Sequence, residues 1–115
     1  MLLVCRFTPD EPAAFLDRAR RAAGLLAAQP DCAGVELGRA VEEPGRWVLV
    51  ARFASVTAYR RALTPFDVRE HVVPLLAEAL TDEPATYESV LVADPDGVVE
   101  HASLLSDRAG VPPER

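Results

Sequence analysis

The chain has 115 residues, half of them hydrophobic and 26% charged, the balance of a single globular domain with one core. Twelve basic residues against eighteen acidic ones give a net charge of −6, which argues against a phosphate-rich nucleic-acid partner, and no apolar run approaches the ~20 residues of a membrane span. Two cysteines, Cys5 and Cys32, form neither a disulfide framework nor a zinc spacing. The first residues lack the basic start and long apolar stretch of a secretory signal, so the expectation is a cytoplasmic protein.

Leu2 to Phe7 is short and mostly apolar and reads as a strand buried on both faces. Thr8-Pro9-Asp10-Glu11-Pro12 offers a helix start, with Thr8 as cap, Pro9 at the first helical position and Glu11 three residues on; Asp10 is the rival cap. Phe15, Ala19, Ala22 and Leu26 then share one stripe, opposite Asp17, Arg18, Arg20 and Arg21, and Gln29-Pro30 closes this amphipathic helix. Cys32 to Val41 places Val35, Leu37, Arg39 and Val41 on one side of a strand. Pro44-Gly45 turns the chain into Arg46 to Phe53, the clearest strand, completing a hairpin. Ser55 is the expected N-cap of a short helix over Val56 to Leu63. A second helical stretch runs from Phe66 to Leu80, where Pro74 removes the bond to the Glu70 carbonyl and kinks or breaks the helix. Thr86 to Val92 reads as the last strand. Asp94-Pro95-Asp96-Gly97 is a turn, Val98 to His101 a short return, and the remaining residues have little to bury. The domain is expected over 1–93, with 94–115 as a C-terminal hairpin and tail.

The order β-α-β-β-α-β is the ferredoxin-like α+β arrangement, with both helical segments on one face of a four-stranded antiparallel sheet. Leu3, Cys5, Phe7, Leu49, Phe53 and Leu91 should face the helices. Val4, Arg6, Val48, Val50, Val90 and Val92 should face away. A bare apolar sheet face of that size is rare on a monomer, so a homodimer packed sheet to sheet is expected, a barrel shared by two chains. Arg6 and Arg52 would lie in or near it, with Glu36 or Glu88 to neutralise them.

Three stretches carry a family resemblance: Leu3-Val4-Cys5-Arg6-Phe7-Thr8-Pro9, then Ala28-Gln29-Pro30-Asp31-Cys32-Ala33-Gly34, then Trp47-Val48-Leu49-Val50-Ala51-Arg52-Phe53-Ala54-Ser55 running into Ala58-Tyr59-Arg60. With the segment Phe66 to Leu80 and its His71, residues 1 to 92 resemble the antibiotic biosynthesis monooxygenase domain family. The resemblance implies a dimeric ferredoxin-like α/β barrel. It also implies one of several activities: cofactor-independent oxidation of polycyclic phenols to quinones, haem degradation, quinol oxygenation, or no known reaction. The haem-degrading branch resembles a triad of Asn on the first strand, Trp on the second helical segment and His shortly after. Here Cys5 stands at the first position and the sole Trp, Trp47, is on a strand; His71 alone matches.

The fold so implied places a pocket between helices and sheet, with Cys5, Phe53, Tyr59, Phe66, His71 and Tyr87 as candidate linings. The sequence has no GxGxxG loop for a flavin or nicotinamide, and its two histidines, His71 and His101, show no metal-ligand spacing, so no cofactor is expected. The substrate would then supply the electrons. A small polycyclic phenol or enol loses a proton to a base, its anion passes an electron to O2, the radicals combine, and the peroxide collapses to a quinone and water. His71 and Tyr59 are the candidate catalytic residues, His71 as base because imidazole titrates near neutrality, and Tyr59 (or an Arg) as hydrogen-bond partner of the phenolate. Cys5, Phe53, Phe66 and Tyr87 are the candidate substrate-binding residues. The alternatives are a non-catalytic dimer that binds a small molecule, and a haem-degrading monooxygenase.

Overall fold

In the computed structural model, which describes residues 1–105, four strands build one antiparallel sheet: β1 (Leu2–Phe7), β2 (Cys32–Arg39), β3 (Trp47–Phe53) and β4 (Thr86–Tyr87), in the order β2-β3-β1-β4. Helices α1 (Pro12–Ala27), α2 (Val56–Ala62), α3 (Phe66–His71) and α4 (Val73–Leu76) occur in the two crossovers. This is the ferredoxin-like α+β arrangement that the element order predicts. Strand alternation does the sorting: Leu3, Cys5 and Phe7 on β1, and Leu49, Ala51 and Phe53 on β3, are at most 3% exposed and face the helices. The intervening Val4, Arg6, Val48 and Val50 are half-buried on the opposite face, and Arg52 is exposed there.

The amphipathic stripe of α1 buries the residues expected of it, Phe15, Ala19, Ala22 and Leu26. Its start differs. Glu11 is the N-cap and Pro12 the first helical residue; Phe15 N–H donates to the Glu11 carbonyl at 3.0 Å, and neither Thr8 nor Asp10 caps. The reason is local. A proline ring disfavours helical geometry in the residue before it, so Pro12 holds Glu11 out of the helical region (φ −124°, ψ 85°) and the helix cannot begin earlier. Between α1 and β2, Asp31 takes a positive φ of 64°. The β2–β3 register then slips at Cys32/Gly34, where Gly34 has φ 153°. Val35 and Leu37 lie opposite Ala51 and Leu49 on the helix side. Val41 does not join them: β2 ends at Arg39, the Ala40 N–H closes the loop onto the Arg46 carbonyl at 2.8 Å, and Val41 is 94% exposed.

Ser55 caps α2 as its position predicts, its Oγ accepting from the Ala58 N–H at 3.0 Å. The helix break expected at Pro74 falls at Val72, so that Pro74 sits in the first turn of α4, where its missing N–H costs nothing. Val68, Val72 and Leu75 remain fully buried across the break. Helix ends at Leu76 rather than Leu80, because the Leu80 N–H turns to the Arg6 carbonyl at 2.8 Å. Together with the bond from the Val4 N–H to the Ala85 carbonyl at 2.7 Å, this runs residues 80–85 along the edge of β1.

That detour shortens the last strand. Only Thr86 and Tyr87 pair with β1, opposite Leu3 and Leu2. The chain then leaves the sheet, and β5 (Leu91–Asp94) and β6 (Gly97–Glu100) form a separate two-stranded hairpin, here termed the arm. The turn is the one expected: Asp94 faces Gly97, and the Asp96 N–H donates to Asp94 Oδ1 at 2.8 Å. Two expectations are corrected here. Leu91 does not face the helices but is 55% exposed on the arm, and Val90 and Val92 do not extend the open sheet face. The charge pairing changes for the same reason. Arg6 reaches Glu83 on the edge segment at 3.4 Å rather than Glu36 or Glu88. Glu88 instead accepts from Ser103 Oγ at 2.6 Å and the Leu104 N–H at 2.7 Å. The expected tail beyond residue 105 lies outside the described residues.

Candidate functional site

Three of the six candidate residues share the layer beside α2. Cys5 is 2% exposed, and burial pushes its thiol up to about 11, with Arg6 a smaller opposing influence. Phe53, 3% exposed, meets the Tyr59 ring edge-on with centroids 5.5 Å apart. Tyr59 is half-buried, and its hydroxyl is raised above the ordinary tyrosine value by burial first and by Cys5 second. At the other end of the layer, Phe15 packs between Phe7 (5.0 Å) and Trp47 (5.8 Å), with the Arg39 guanidinium over the indole at 5.2 Å. The indole N–H is buried without a hydrogen-bond partner among the described residues.

The other three candidates lie elsewhere. His71 stands in a groove of about 190 Å³ between α1 and α3, with Arg18, Arg21, Asp17 and Pro74 around it, and its Nε2 is 3.1 Å from Glu70 Oε1. Phe66 is 66% exposed at the start of α3. Tyr87 sits on β4, where its hydroxyl donates to the Pro84 carbonyl at 2.9 Å. The six therefore do not line one pocket between helices and sheet. Leu3, Leu26, Leu49, Val68, Val72 and Leu75, each below 2% exposed, occupy that layer. Val68, Val72 and Leu75 take the inward positions of α3 and α4, which rotates His71 towards α1.

A much larger opening, about 1020 Å³, separates the arm from the body. Its floor is the end of β3 and the start of α2, with Leu2, Phe53 and Val56; Leu91, Val92 and Leu104 form the facing wall. Arg52, Glu88, Glu100 and His101 bring charge and an imidazole to the same cleft. Phe53 is the one candidate residue that lines it. Sequence reasoning misses His101, which it leaves at the end of a short return strand. The signal that places it is the turn at Asp94–Gly97, which folds the chain back so that the His101 N–H donates to the Val90 carbonyl at 2.9 Å. Among the described residues, no three His, Cys, Asp or Glu side chains converge in a metal-binding group, and no helix is long and apolar enough to cross a membrane.

Residues 2–74 match the antibiotic biosynthesis monooxygenase family. No curated protein matches the chain. Among solved structures, a point mutant of SnoaB, a cofactor-independent oxygenase from Streptomyces nogalater, is 30% identical over 69% of this chain and 82% of that one, with a TM-score of 0.60. A second SnoaB structure is 27% identical over 76% of this chain and 91% of that one, at 0.63. Rv0793 from Mycobacterium tuberculosis covers 91% of this chain and 95% of its own at 17% identity and 0.57, a likeness of fold alone. The family and the SnoaB likeness support a monooxygenase-type function. With nearly two thirds of its length matched and its sheet in the ferredoxin-like order, this chain belongs to the antibiotic biosynthesis monooxygenase family.

Proposed function

We propose that the chain is a cofactor-independent monooxygenase that oxidises a polycyclic aromatic phenol or quinol with O2 to a quinone, working as a homodimer paired through the open sheet face. The observation that carries the substrate class is the cleft between arm and body. At about 1020 Å³ it has room for a fused-ring molecule, its walls are apolar, and it gathers one imidazole and one guanidinium. The likeness to SnoaB, a cofactor-independent oxygenase, supports the reaction class.

In this reading the substrate enters with its ring against Phe53 and Leu91. His101 takes the hydroxyl proton, since imidazole is the side chain suited to accept one near neutral pH, and Arg52 balances the anion left behind. The electron-rich anion reduces O2 by one electron, the two radicals join at carbon, and the hydroperoxide loses water to leave the quinone carbonyl. Both electron pairs come from the substrate. The chain's contribution is an apolar wall, an oriented ring, a base and a counter-charge. A second reading keeps His71 as the base and takes an arginine of its groove, rather than Tyr59, as the hydrogen-bond partner of the anion, because Tyr59 packs on Phe53 and does not line that groove. Its supporting observation is that Arg18 and Arg21 share the His71 groove, although Arg18 already holds Glu78.

Oxygen uptake by the dialysed protein with an anthrone- or quinol-type substrate, without added metal, flavin or nicotinamide, tests the function. Uptake with quinone formation is expected; binding without turnover returns the chain to the non-catalytic reading. His101→Ala should abolish most of the uptake and His71→Ala should spare it, and the reverse result moves the base to His71. A haem titration with no Soret shift is expected, and a shift would revive the haem-degrading alternative.

A further inference from the structure

Glu88 stands where the chain leaves the sheet. Its neighbour Tyr87 still pairs with Leu2 on β1, and the arm begins at Leu91. The Glu88 carboxylate is engaged on both oxygens. Oε1 accepts from the Ser103 hydroxyl at 2.6 Å, and Oε2 accepts from the Leu104 N–H at 2.7 Å. Ser103 Oγ in turn accepts from the Leu105 N–H at 3.1 Å, so one side chain anchored beside the sheet orders residues 103–105 on the far side of the arm. Hydrogen bonds to an ionised acceptor are the stronger kind.

Apolar packing offers that segment little. Leu104 is 92% exposed and Leu105 70%. Strand pairing stops at Glu100, and the His101 N–H bonds to the Val90 carbonyl at the foot of the arm. Among the described residues, the bonds on Glu88 and Ser103 are the ones that fix residues 102–105. The same stretch forms one side of the cleft, which Glu88, His101, Ala102, Leu104 and Leu105 all line. His101 lies two residues before Ser103, so holding Ser103 keeps the imidazole on a short tether.

We infer that Glu88 is a positioning residue of the cleft: its carboxylate clamps residues 103–105 and thereby sets where His101 and the Leu104 wall stand. The inference rests on the cleft being the substrate site, as proposed above. Glu88 lines the cleft but is not its base. Its two donors, Ser103 first and Leu104 second, hold the carboxyl below the ordinary glutamate value and so make it a weak proton acceptor. With the clamp released, the wall over 101–105 swings, and a bound ring loses its fit without the loss of any strand.

Glu88→Ala, Glu88→Gln and Ser103→Ala in the full chain provide the test, read by oxygen uptake with anthrone and by equilibrium binding of emodin, a hydroxyanthraquinone. Glu88→Ala should lower kcat/KM and weaken emodin binding about 10-fold or more, and Ser103→Ala about 3-fold or more, with the far-ultraviolet circular dichroism intact in both. Glu88→Gln keeps an acceptor oxygen and should stay within about 3-fold of wild type. Backbone NMR adds a readout independent of turnover. The Leu104 amide proton should follow the Glu88 carboxyl as it titrates below the ordinary glutamate value. That response should vanish in Glu88→Gln, which separates it from Glu100 and His101 in the same cleft. Glu88→Gln as inactive as Glu88→Ala, with both binding emodin like wild type, would make Glu88 the base and overturn the inference. A Leu104 amide that ignores Glu88, or emodin binding unchanged in Glu88→Ala, overturns it as well. If the wild-type chain binds emodin but takes up no oxygen, the oxygenase reading fails by itself, and weakened binding in Glu88→Ala still upholds the clamp. A wild-type chain that binds no emodin removes the cleft reading and the inference together.

Discussion

Replacing Phe15 with alanine removes the ring that joins the first helix to one end of the sheet. Phe15 is 3% exposed and touches two aromatic partners, Phe7 with ring centroids 5.0 Å apart and Trp47 at 5.8 Å. A buried Phe→Ala change costs about 3–5 kcal/mol, of which each aromatic pair accounts for roughly 0.5–1.5 kcal/mol beyond its buried area. Against the about 5–15 kcal/mol that holds a domain of this size together, the loss is about a fifth or more of the total and lowers Tm by more than about 12 °C. Trp47 is the only tryptophan, so urea unfolding followed by its emission at one fixed protein concentration reports the change directly. The native emission of Phe15→Ala should also move to longer wavelength, because Phe15 helps screen the half-buried indole and its buried N–H. Phe15→Leu, which keeps most of the volume, should lose only about 1 kcal/mol and guards against a variant that fails to fold. A loss below about 1 kcal/mol in Phe15→Ala with unchanged emission would show that this end of the layer carries no such load, and would refute the packing argument.

Other outcomes follow from the same geometry. At pH 8 a thiol reagent should modify Cys32 in the native chain and reach Cys5 only after unfolding. Because the Cys5 thiol rises from 9.0 to about 11 on folding, the unfolded chain loses that proton first, so stability should fall as pH climbs between those values, and Cys5→Ala should flatten this decline. The Arg18 guanidinium, bonded to Glu78 through Nη1 at 3.1 Å, holds the Glu78 carboxyl below its ordinary value. The pair's contribution is thus present above the ordinary carboxylate range and fades as pH falls through the lowered folded value. An NMR titration should show the Glu78 midpoint rising in Arg18→Ala, with little change in overall stability because both side chains are about half exposed. Gly34→Ala should cost about 1 kcal/mol or more in urea unfolding, since a side chain is strained at a φ of 153° whatever the space around it.

Neighbouring residues are enough to set the layers of this protein. Period-2 alternation on Leu2–Phe7 and Trp47–Phe53, the stripe Phe15/Ala19/Ala22/Leu26, the Ser55 cap and the Asp94–Gly97 turn each depend on a short stretch of chain, and each appears as that stretch dictates. The fate of the last apolar run is decided in three dimensions. Whether Val90 to Ala93 continues the sheet or leaves it depends on who occupies the edge of β1, and the Leu80 and Ala85 backbone bonds settle that from a distance. The candidate site divides along the same line. Cys5, Phe53 and Tyr59 come together because strand parity and one capped helix fix where they point. His71 turns to the groove beside α1 because Val68, Val72 and Leu75 claim the inward positions, and His101 reaches the cleft through a turn whose destination local periodicity does not encode. Local rules assign a residue to a face; which faces meet, and what space they leave between them, is fixed by packing among residues far apart in the chain.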